Sequence, residues 1–293
     1  MPQSSGKMPE VLTDMEGTWK PEVGLTSPLG LVDRDSISII TICFNNLQAL
    51  QDTCTSIDEQ QCLPFEHIII DGSTDADIRS WLLDESHPTY RTYVSEVDEG
   101  ISDAFNKGIS RARGEILQML NAGDRLHDPS VLRLAATAFA EDPALQWLHG
   151  SIRLMRGGIW VVVGKPFDPR RLYRGMRSTF HPTMFVRRTI FLQYGLFDKQ
   201  LKIAMDYDFL CRIARERNTF VPLPLAVFEP GGISNQHFRK GLEEMQRVYE
   251  RHFGFSLKQR LWKWRQLILF KFLQAGLGTW MYGWKVRLGW ENR

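Results

Sequence analysis

Closely spaced cysteine pairs are absent from the sequence of this 293-residue chain, which has only four cysteines in all. They stand apart without a C-x-x-C spacing, so the sequence indicates neither a structural zinc site nor a disulfide framework. The basic residues and apolar run of a secretory signal are also lacking at the start, and we find no repeat or low-complexity tract. These absences favour a globular protein in a reducing, cytosolic setting.

Acidic residues are nearly absent from residues 256–293, where eight Lys and Arg face Glu291 alone. The local charge of +7 leaves −5 for the other 255 residues, because the whole chain sums to +2. This charge distribution, with a mildly acidic body and a basic tail, indicates that the tail contacts an anionic surface. It argues against a general nucleic-acid-binding role for the body.

Strand and helix patterns alternate through most of the chain. Residues 1–35 are rich in Pro, Gly, Ser and Thr and read as a loosely ordered arm. Residues 36–255 then alternate β-branched runs with helical periodicity, which predicts an α/β domain whose mostly parallel sheet is covered on both faces. The alternation weakens after Gly150, so we divide this domain into halves over 36–150 and 151–255, followed by the basic tail over 256–293.

Polar side chains stand where the predicted strands end, at the edge where sheets of this kind bind ligands. Asp71 closes the strand Ile68-Ile69-Ile70, Asn45 ends the first strand, and Asp98 follows the third. The position of Asp71 suits a base or ribose contact. Polar residues at strand ends are also ordinary turn formers, and for a single residue the pattern leaves both interpretations open.

A longer run, from Asp98 to Gly108, opens a predicted helix beside these strand ends. Asp103, Asn106 and Lys107 lie three or four positions apart on it and can share one face toward a nucleoside diphosphate. Gly114 and then Asn121-Ala122-Gly123-Asp124 follow. The combined string is specific, whereas its separate pieces are not.

These segments together resemble glycosyltransferase family 2, in which a glycine-containing loop and an A-x-N-x-G helix precede a D-x-D-type metal motif. The resemblance covers residues 36–237 and implies a GT-A fold, a Rossmann-like nucleotide-binding architecture. It also implies inverting transfer from a nucleoside diphosphate sugar, most commonly a UDP-sugar, to a hydroxyl of a glycan or lipid-linked acceptor. The donor-binding residues it implies are Thr41, Cys43 and Asn45 around the nucleobase, Asp71 and Asp98 at base or ribose, and Asp103, Asn106, Lys107 and Gly123 near the donor.

The metal motif departs from the family pattern, because Gly123 replaces the first of two adjacent aspartates. Asp124 alone then remains to meet Mn²⁺ or Mg²⁺. One carboxylate is chemically sufficient when diphosphate oxygens and water complete the coordination. A metal-independent enzyme, or Asp124 as an ordinary loop residue, is the alternative.

Further segments resemble the acceptor side of the family. Matching Met205-Asp206-Tyr207-Asp208 to the family's E-D-Y-D-L block implies Asp206 as catalytic base, with Met205 in place of the preceding acid and Asp208 as the competitor. A helix N-terminus is expected to keep this carboxylate ionised. His181 falls on the acceptor side by the same match, although a packed histidine is an equal alternative. The glycine pair at 231–232 reads as a hinge or a turn, and His237 as a possible further metal ligand.

The tail carries five of the nine tryptophans, and its apolar residues recur at helical spacing between Lys and Arg. This pattern predicts an in-plane helix on an anionic membrane surface, on the cytoplasmic face. Lys271 and Gln274 interrupt the apolar run and disfavour a transmembrane span, while an oligomer contact or core helix stays open.

Two other function classes remain. A nucleotidyltransferase would carry a Gly- and Arg-rich phosphate loop after its first strand, where Cys43-Phe44-Asn45-Asn46 stands instead, and a dinucleotide oxidoreductase would need G-x-G-x-x-G there. A catalytically inactive scaffold is motivated by Gly123 and Met205.

Overall fold

The computed structural model describes residues 36–156, 158–228 and 237–274. The predicted arm over 1–35, the glycine pair at 231–232 and the tail from residue 275 onward lie outside these residues. The strands are β1 (Ile37–Cys43), β2 (Glu66–Asp71), β3 (Arg91–Ser95), β4 (Ile116–Asn121), β5 (Arg125–Leu126), β6 (Trp147–Arg156), β7 (Ile159–Val163), β8 (Phe185–Arg187) and β9 (Asn218–Phe228).

The helices begin after β1 and continue to the end of the described chain. They are α1 (Leu47–Asp58), α2 (Ala76–Leu82), α3 (Ile101–Arg111), α4 (Val131–Glu141), α5 (Arg188–Tyr194), α6 (Met205–Arg212), α7 (Phe238–Phe253) and α8 (Leu257–Gln274). Two 3₁₀ turns lie at Pro169–Arg174 and His181–Thr183.

The strands of the described chain form one mixed sheet in the order β3-β2-β1-β4-β8-β6-β9-β5, with β7 paired to β6. The first four strands are parallel, as the β/α alternation predicts. β8 then joins β4 and β6 in antiparallel fashion, and β6 pairs with β9 in parallel. The predicted α/β class with a mostly parallel central sheet is confirmed.

Two apolar layers cover the sheet, because successive side chains of a strand point to opposite faces. Ile40 and Ile42 of β1 belong to one layer with side chains of α3, α5, α6 and α7. Ile37 and Ile39 belong to the other layer with α4. α3 packs close to β1, since a Cβ at Gly108 would lie 2.3 Å from Ile40 Cγ2.

The parallel register brings the carboxyl ends of β1, β2, β3 and β4 to one edge. Cys43 is aligned with Asp71, Asp71 with Ser95, and Ile42 with Asn121. The polar residues that the sequence places at strand ends therefore meet at this edge of the sheet.

The end of the described chain is a helix whose apolar stripe faces outward. Leu257, Leu261, Trp264, Ile268 and Phe272 of α8 are all exposed, whereas Gln259 and Gln266 on its inner side are buried. Arg177 holds the helix to the domain, donating a hydrogen bond to Gln266 and stacking 5.4 Å from the Trp262 ring. None of the helices in the described part of the chain is long and apolar enough to cross a bilayer.

Candidate active site

A cleft of about 1160 Å³ opens at the carboxyl edge of the parallel strands. It brings together six of the predicted site residues, from both halves of the domain. The sequence-predicted residues that line it are Cys43, Asp98, Gly123, Asp124, His181 and Asp206. Thr41, Asn45, Asp71, Asp103, Asn106, Lys107, Asp208 and His237 are not among its lining residues.

A network of polar contacts lies at the carboxyl ends of β1 and β2, next to the cleft. Asp71 is buried and accepts hydrogen bonds from the Ser73 N–H (3.0 Å) and the Ser95 hydroxyl (2.8 Å). The Asn45 N–H donates to Ser73 Oγ at 2.7 Å, with Asn45 at φ 52°. Thr41 lies deeper, where its hydroxyl contacts His67 Nε2 at 2.9 Å. Asp71 and Asn45 thus hold the ends of β2 and β1 in place through these hydrogen bonds.

Asp98 reaches the cleft because residue 72 has no side chain. A Cβ at Gly72 would lie 2.0 Å from Asp98 Oδ2, so a side chain at residue 72 would displace this carboxylate from its present position. Its other oxygen accepts the Gly100 N–H at 2.8 Å, at the start of α3. Beside it, burial raises the pKa of the Cys43 thiol to about 11, which keeps that side chain neutral.

The polar face of α3 contacts protein groups in the structure. Asn106 donates to the Phe197 carbonyl and accepts the Phe197 N–H, both at 2.9 Å, and so fastens α3 to the 195–198 segment. Lys107 donates to the Val97 carbonyl at 2.7 Å. Burial alone would raise the pKa of Asp103, but hydrogen bonds from the Glu99 N–H and Lys199, with the charges of Lys107 and Lys199, lower it. These residues brace the loop that carries Asp98.

Asp124 sits in the turn after β4, and glycine at 123 adopts φ +101° to make that turn. The Asp124 carboxylate is buried and accepts from the N–H and the side-chain amide of Asn121, at 3.0 and 3.1 Å. His181 Nε2 lies 3.7 Å from the same carboxylate oxygen and 3.0 Å from the Asn121 amide nitrogen. Burial lowers the pKa of His181 to about 4, so its imidazole is neutral at pH 7.

Asp124 and His181 can supply only part of the coordination shell of a divalent cation. Among residues 36–156, 158–228 and 237–274 there is no cluster of three His, Cys, Asp or Glu side chains that could hold a metal. A carboxylate and a neutral imidazole still suit Mn²⁺ or Mg²⁺ that takes its remaining oxygens from a diphosphate and water. The exposed His237 precedes α7 and is not among the cleft residues.

Asp206 occupies the first turn of α6 and lines the cleft. Its carboxylate accepts the Tyr207 N–H at 2.7 Å. Burial raises the pKa of Asp206 to about 6, against the smaller opposing effect of hydrogen bonds from the Tyr207 and Asp206 backbone. Burial thus opposes the expected effect of the helix N-terminus, and with a pKa of about 6 the group is still mainly a carboxylate at pH 7.

Asp208, the competing carboxylate, is buried in an ion-pair network. It accepts from Arg212 Nε at 3.1 Å and contacts His252 Nε2 at 2.8 Å. Helical geometry turns residue 208 away from residue 206, since neighbouring side chains on a helix are three or four positions apart. Of the two acids, only Asp206 lines the cleft.

Two residues that the sequence pattern did not single out lie at the segment before α6. Glu244 of α7 is buried and accepts the N–H groups of Lys202 (3.3 Å), Ile203 (2.9 Å) and Ala204 (3.0 Å), which directly precede α6. It caps the helix of Asp206 from another element, where Ala204 provides no side-chain cap. Lys202 lines the cleft, and its Nζ donates to the Glu99 carbonyl at 2.9 Å.

The place of Met205 is explained by packing. Its sulfur lies 2.9 Å from the Ser102 hydroxyl, which also donates to the Leu201 carbonyl at 3.1 Å. The acid that the family pattern has at this position is thus replaced by a thioether whose sulfur accepts from Ser102 between α6 and α3.

Known proteins resemble this chain in sequence. The sequence model described as glycosyl transferase family 2 matches residues 38–195. An uncharacterized glycosyltransferase of Mycobacterium tuberculosis is 34% identical over 188 residues, which cover 63% of this chain and 71% of that protein. A PGL/p-HBAD biosynthesis glycosyltransferase of Mycobacterium bovis is 30% identical over 182 residues, covering 60% and 68%.

Two solved structures are similar in fold. S. aureus TarS in complex with UDP-GlcNAc superposes with a TM-score of 0.58 at 17% identity, over 74% of this chain and 67% of that one. The mannosyltransferase PcManGT from Pyrobaculum calidifontis, in complex with GDP-Man and Mn²⁺, gives a TM-score of 0.54 at 18% identity, over 86% and 79%. At these identities the likeness establishes the fold, which is the GT-A fold.

Proposed function

Because the chain belongs to glycosyl transferase family 2, we propose that it is an inverting glycosyltransferase acting on a nucleoside diphosphate sugar, with a UDP-sugar as donor. The acceptor is a hydroxyl of a glycan or of a lipid-linked glycan. The observation that supports this most directly is one cleft lined by Asp98, Asp124 and Asp206 together. We assign Asp98 and Asp124 to the donor, and Asp71 and Asn45 to the strand ends beside it.

Asp206 is the base of the proposed reaction. The acceptor oxygen attacks the anomeric carbon, the bond from that carbon to the diphosphate oxygen breaks, and its electron pair leaves with the diphosphate. The proton of the attacking hydroxyl passes to Asp206. A base with a pKa of about 6 is deprotonated at neutral pH and still basic enough to accept this proton.

Asp124, with His181 beside it, would hold a divalent cation together with the donor. When bound, such an ion supplies positive charge to the leaving diphosphate. Asn121 keeps the Asp124 carboxylate oriented through two hydrogen bonds, and the Asn121 amide contact fixes the His181 ring.

The outward stripe of α8 supports membrane attachment as a second part of the proposal. A helix packed on a domain normally buries its apolar face, whereas α8 exposes Leu261, Trp264 and Ile268 and buries glutamines. Exposed cations flank this stripe, including Lys258 and Arg260. An anionic bilayer matches both features, so we place the enzyme as a peripheral protein on the cytoplasmic face of the membrane.

A thermal-shift and turnover experiment tests the enzymatic proposal. UDP, GDP and TDP are compared with and without Mn²⁺, and UDP release is then measured from a panel of UDP-sugars. We expect UDP with Mn²⁺ to raise the melting temperature most, because ligands that bind only the folded state stabilise it. The variant Asp206→Asn should bind UDP normally and release almost no UDP from the sugar donors. If no nucleoside diphosphate stabilises the protein, the proposed function is wrong.

A further inference from the structure

Lys202 is a cation in the cleft that the proposed reaction has not yet used. It lies on the segment between Phe197 and α6 and lines the cleft together with Asp98 and Gly100. Its Nζ donates to the Glu99 carbonyl at 2.9 Å. An ammonium group has three N–H donors, so two remain for a ligand.

The charge of the described cleft is dominated by carboxylates. Asp98, Asp124 and Asp206 line it, whereas Lys202 is the one Lys or Arg among its described lining residues. A diphosphate entering this cleft therefore meets net negative charge unless cations offset it.

Neighbouring lysines are neutralised, whereas Lys202 is not. Lys199 pairs with Glu99 and Asp103 at 2.9 and 3.1 Å, and Lys107 pairs with Glu96 and Asp103. Within the described chain the ammonium of Lys202 forms no ion pair with a carboxylate, and its hydrogen-bond partner is a neutral carbonyl. Its charge is therefore not paired with a carboxylate of the described chain, and its exposed side chain lines the cleft.

The backbone of Lys202 is also held in place. Its N–H donates to Glu244, which binds the two following N–H groups as well. Lys202 is thus anchored at the base of α6 and four residues from Asp206. It stands between the wall of the proposed base and the donor-side loop of Asp98.

We propose that Lys202 binds the diphosphate of the donor and stabilises the charge that develops on it as the glycosidic bond breaks. This rests on the proposed function, since it presumes a nucleoside diphosphate donor. A fixed ammonium near the leaving oxygen strengthens its interaction as that oxygen gains charge, so it lowers the barrier as well as the dissociation constant. Because the metal motif holds only one aspartate, a bound cation has few protein ligands. Lys202 then supplies positive charge to the diphosphate directly from the protein.

The test compares binding of UDP and of uridine, by titration calorimetry, to the wild type, Lys202→Met, Lys202→Arg and Lys199→Met. Each titration is made with Mn²⁺ and again in chelator. Loss of a charge-assisted hydrogen bond should weaken UDP binding of Lys202→Met about ten- to hundredfold in both conditions. Uridine affinity should be unchanged, because uridine has no phosphate. Lys202→Arg should recover most of the UDP affinity, and Lys199→Met, which removes a charge outside the cleft, should bind UDP as the wild type does.

Three results overturn the inference in distinguishable ways. Equal UDP affinity of Lys202→Met and the wild type removes Lys202 from the donor site while leaving the proposed function intact. Equal losses for UDP and uridine mean that the substitution disturbs the fold of the cleft, with no specific diphosphate contact. A wild type that binds neither UDP nor uridine removes the proposed UDP donor together with the role of Lys202.

Discussion

Replacing Asp206 by Asn should abolish turnover and at the same time stabilise the protein. Asn preserves the size of the side chain and its acceptor oxygen for the Tyr207 N–H, but it removes the group whose pKa burial raises from 3.8 to about 6. A carboxyl with a raised folded-state pKa favours folding in its protonated form. Its stabilisation is therefore fully present below pH 3.8 and is lost as the pH rises through about 6.

The size of this effect follows from the shift. A change from 3.8 to about 6 corresponds to about 3 kcal/mol at most, at roughly 1.4 kcal/mol per tenfold change in the protonation equilibrium. Because Asp206 is only half-buried, we expect Asp206→Asn to melt roughly 3–8 °C above the wild type at pH 8. At pH 4.5 the difference should fall to about a third, since the native carboxyl is then mostly protonated.

The assay is a pair of thermal melts, at pH 8 and at pH 4.5, for the wild type, Asp206→Asn and Asp208→Asn. Asp208 is a matched control because it lies two residues away on α6, buried in an ion pair with Arg212 and in contact with His252. Breaking a buried ion pair destabilises by about 3–5 kcal/mol, so Asp208→Asn should melt well below the wild type. Turnover of Asp206→Asn should fall about 10² to 10⁴-fold, the usual effect of removing a general base. A lower melting temperature for Asp206→Asn at pH 8, or normal turnover, would refute the reasoning.

Four further outcomes are expected. The wild-type kcat/KM should rise with pH through about 6, as Asp206 loses its proton, and a profile flat from pH 5 to 8 would contradict its role. Asp124→Ala should weaken UDP binding far more with Mn²⁺ than in chelator, and equal losses would exclude a shared ion. Glu244→Ala removes the acceptor of three N–H groups, so it should lower kcat about tenfold or more with little change in UDP affinity. Glu244→Gln should recover part of the lost kcat. Similar kcat values for the wild type and Glu244→Ala would show that Glu244 does not position Asp206. Trp264→Ser with Ile268→Ser should reduce binding to phosphatidylglycerol vesicles about tenfold or more and leave UDP binding unchanged, whereas unaltered vesicle binding would exclude the α8 stripe.

The sequence was informative wherever the signal is local. The β-branched run of β1 and the apolar strand before Asp71 predict buried parallel strands, and parallel strands necessarily end at one edge. That argument correctly predicted the α/β sheet. The family resemblance then identified candidate side chains around the cleft, and their chemical roles remain predictions.

Contacts between segments distant in the sequence could not be predicted from the sequence pattern. Glu244 lies on α7, about 40 residues after the loop it caps, and nothing in its immediate neighbourhood marks it as a cap. The partner of Asn106 is the backbone of Phe197, which carries no sequence signal.

The single sheet has a mechanical consequence. β8 joins β4 of the first half to β6, and β6 itself runs across residue 150, where the composition changes. A hinge rotation between the halves would have to break these ladders inside the core, where an unpaired backbone group is expensive. These shared ladders therefore oppose a hinge rotation between the halves. On the proposed function, we expect the choice among sugars to depend on the side chains that line the cleft between Asp124 and Asp206.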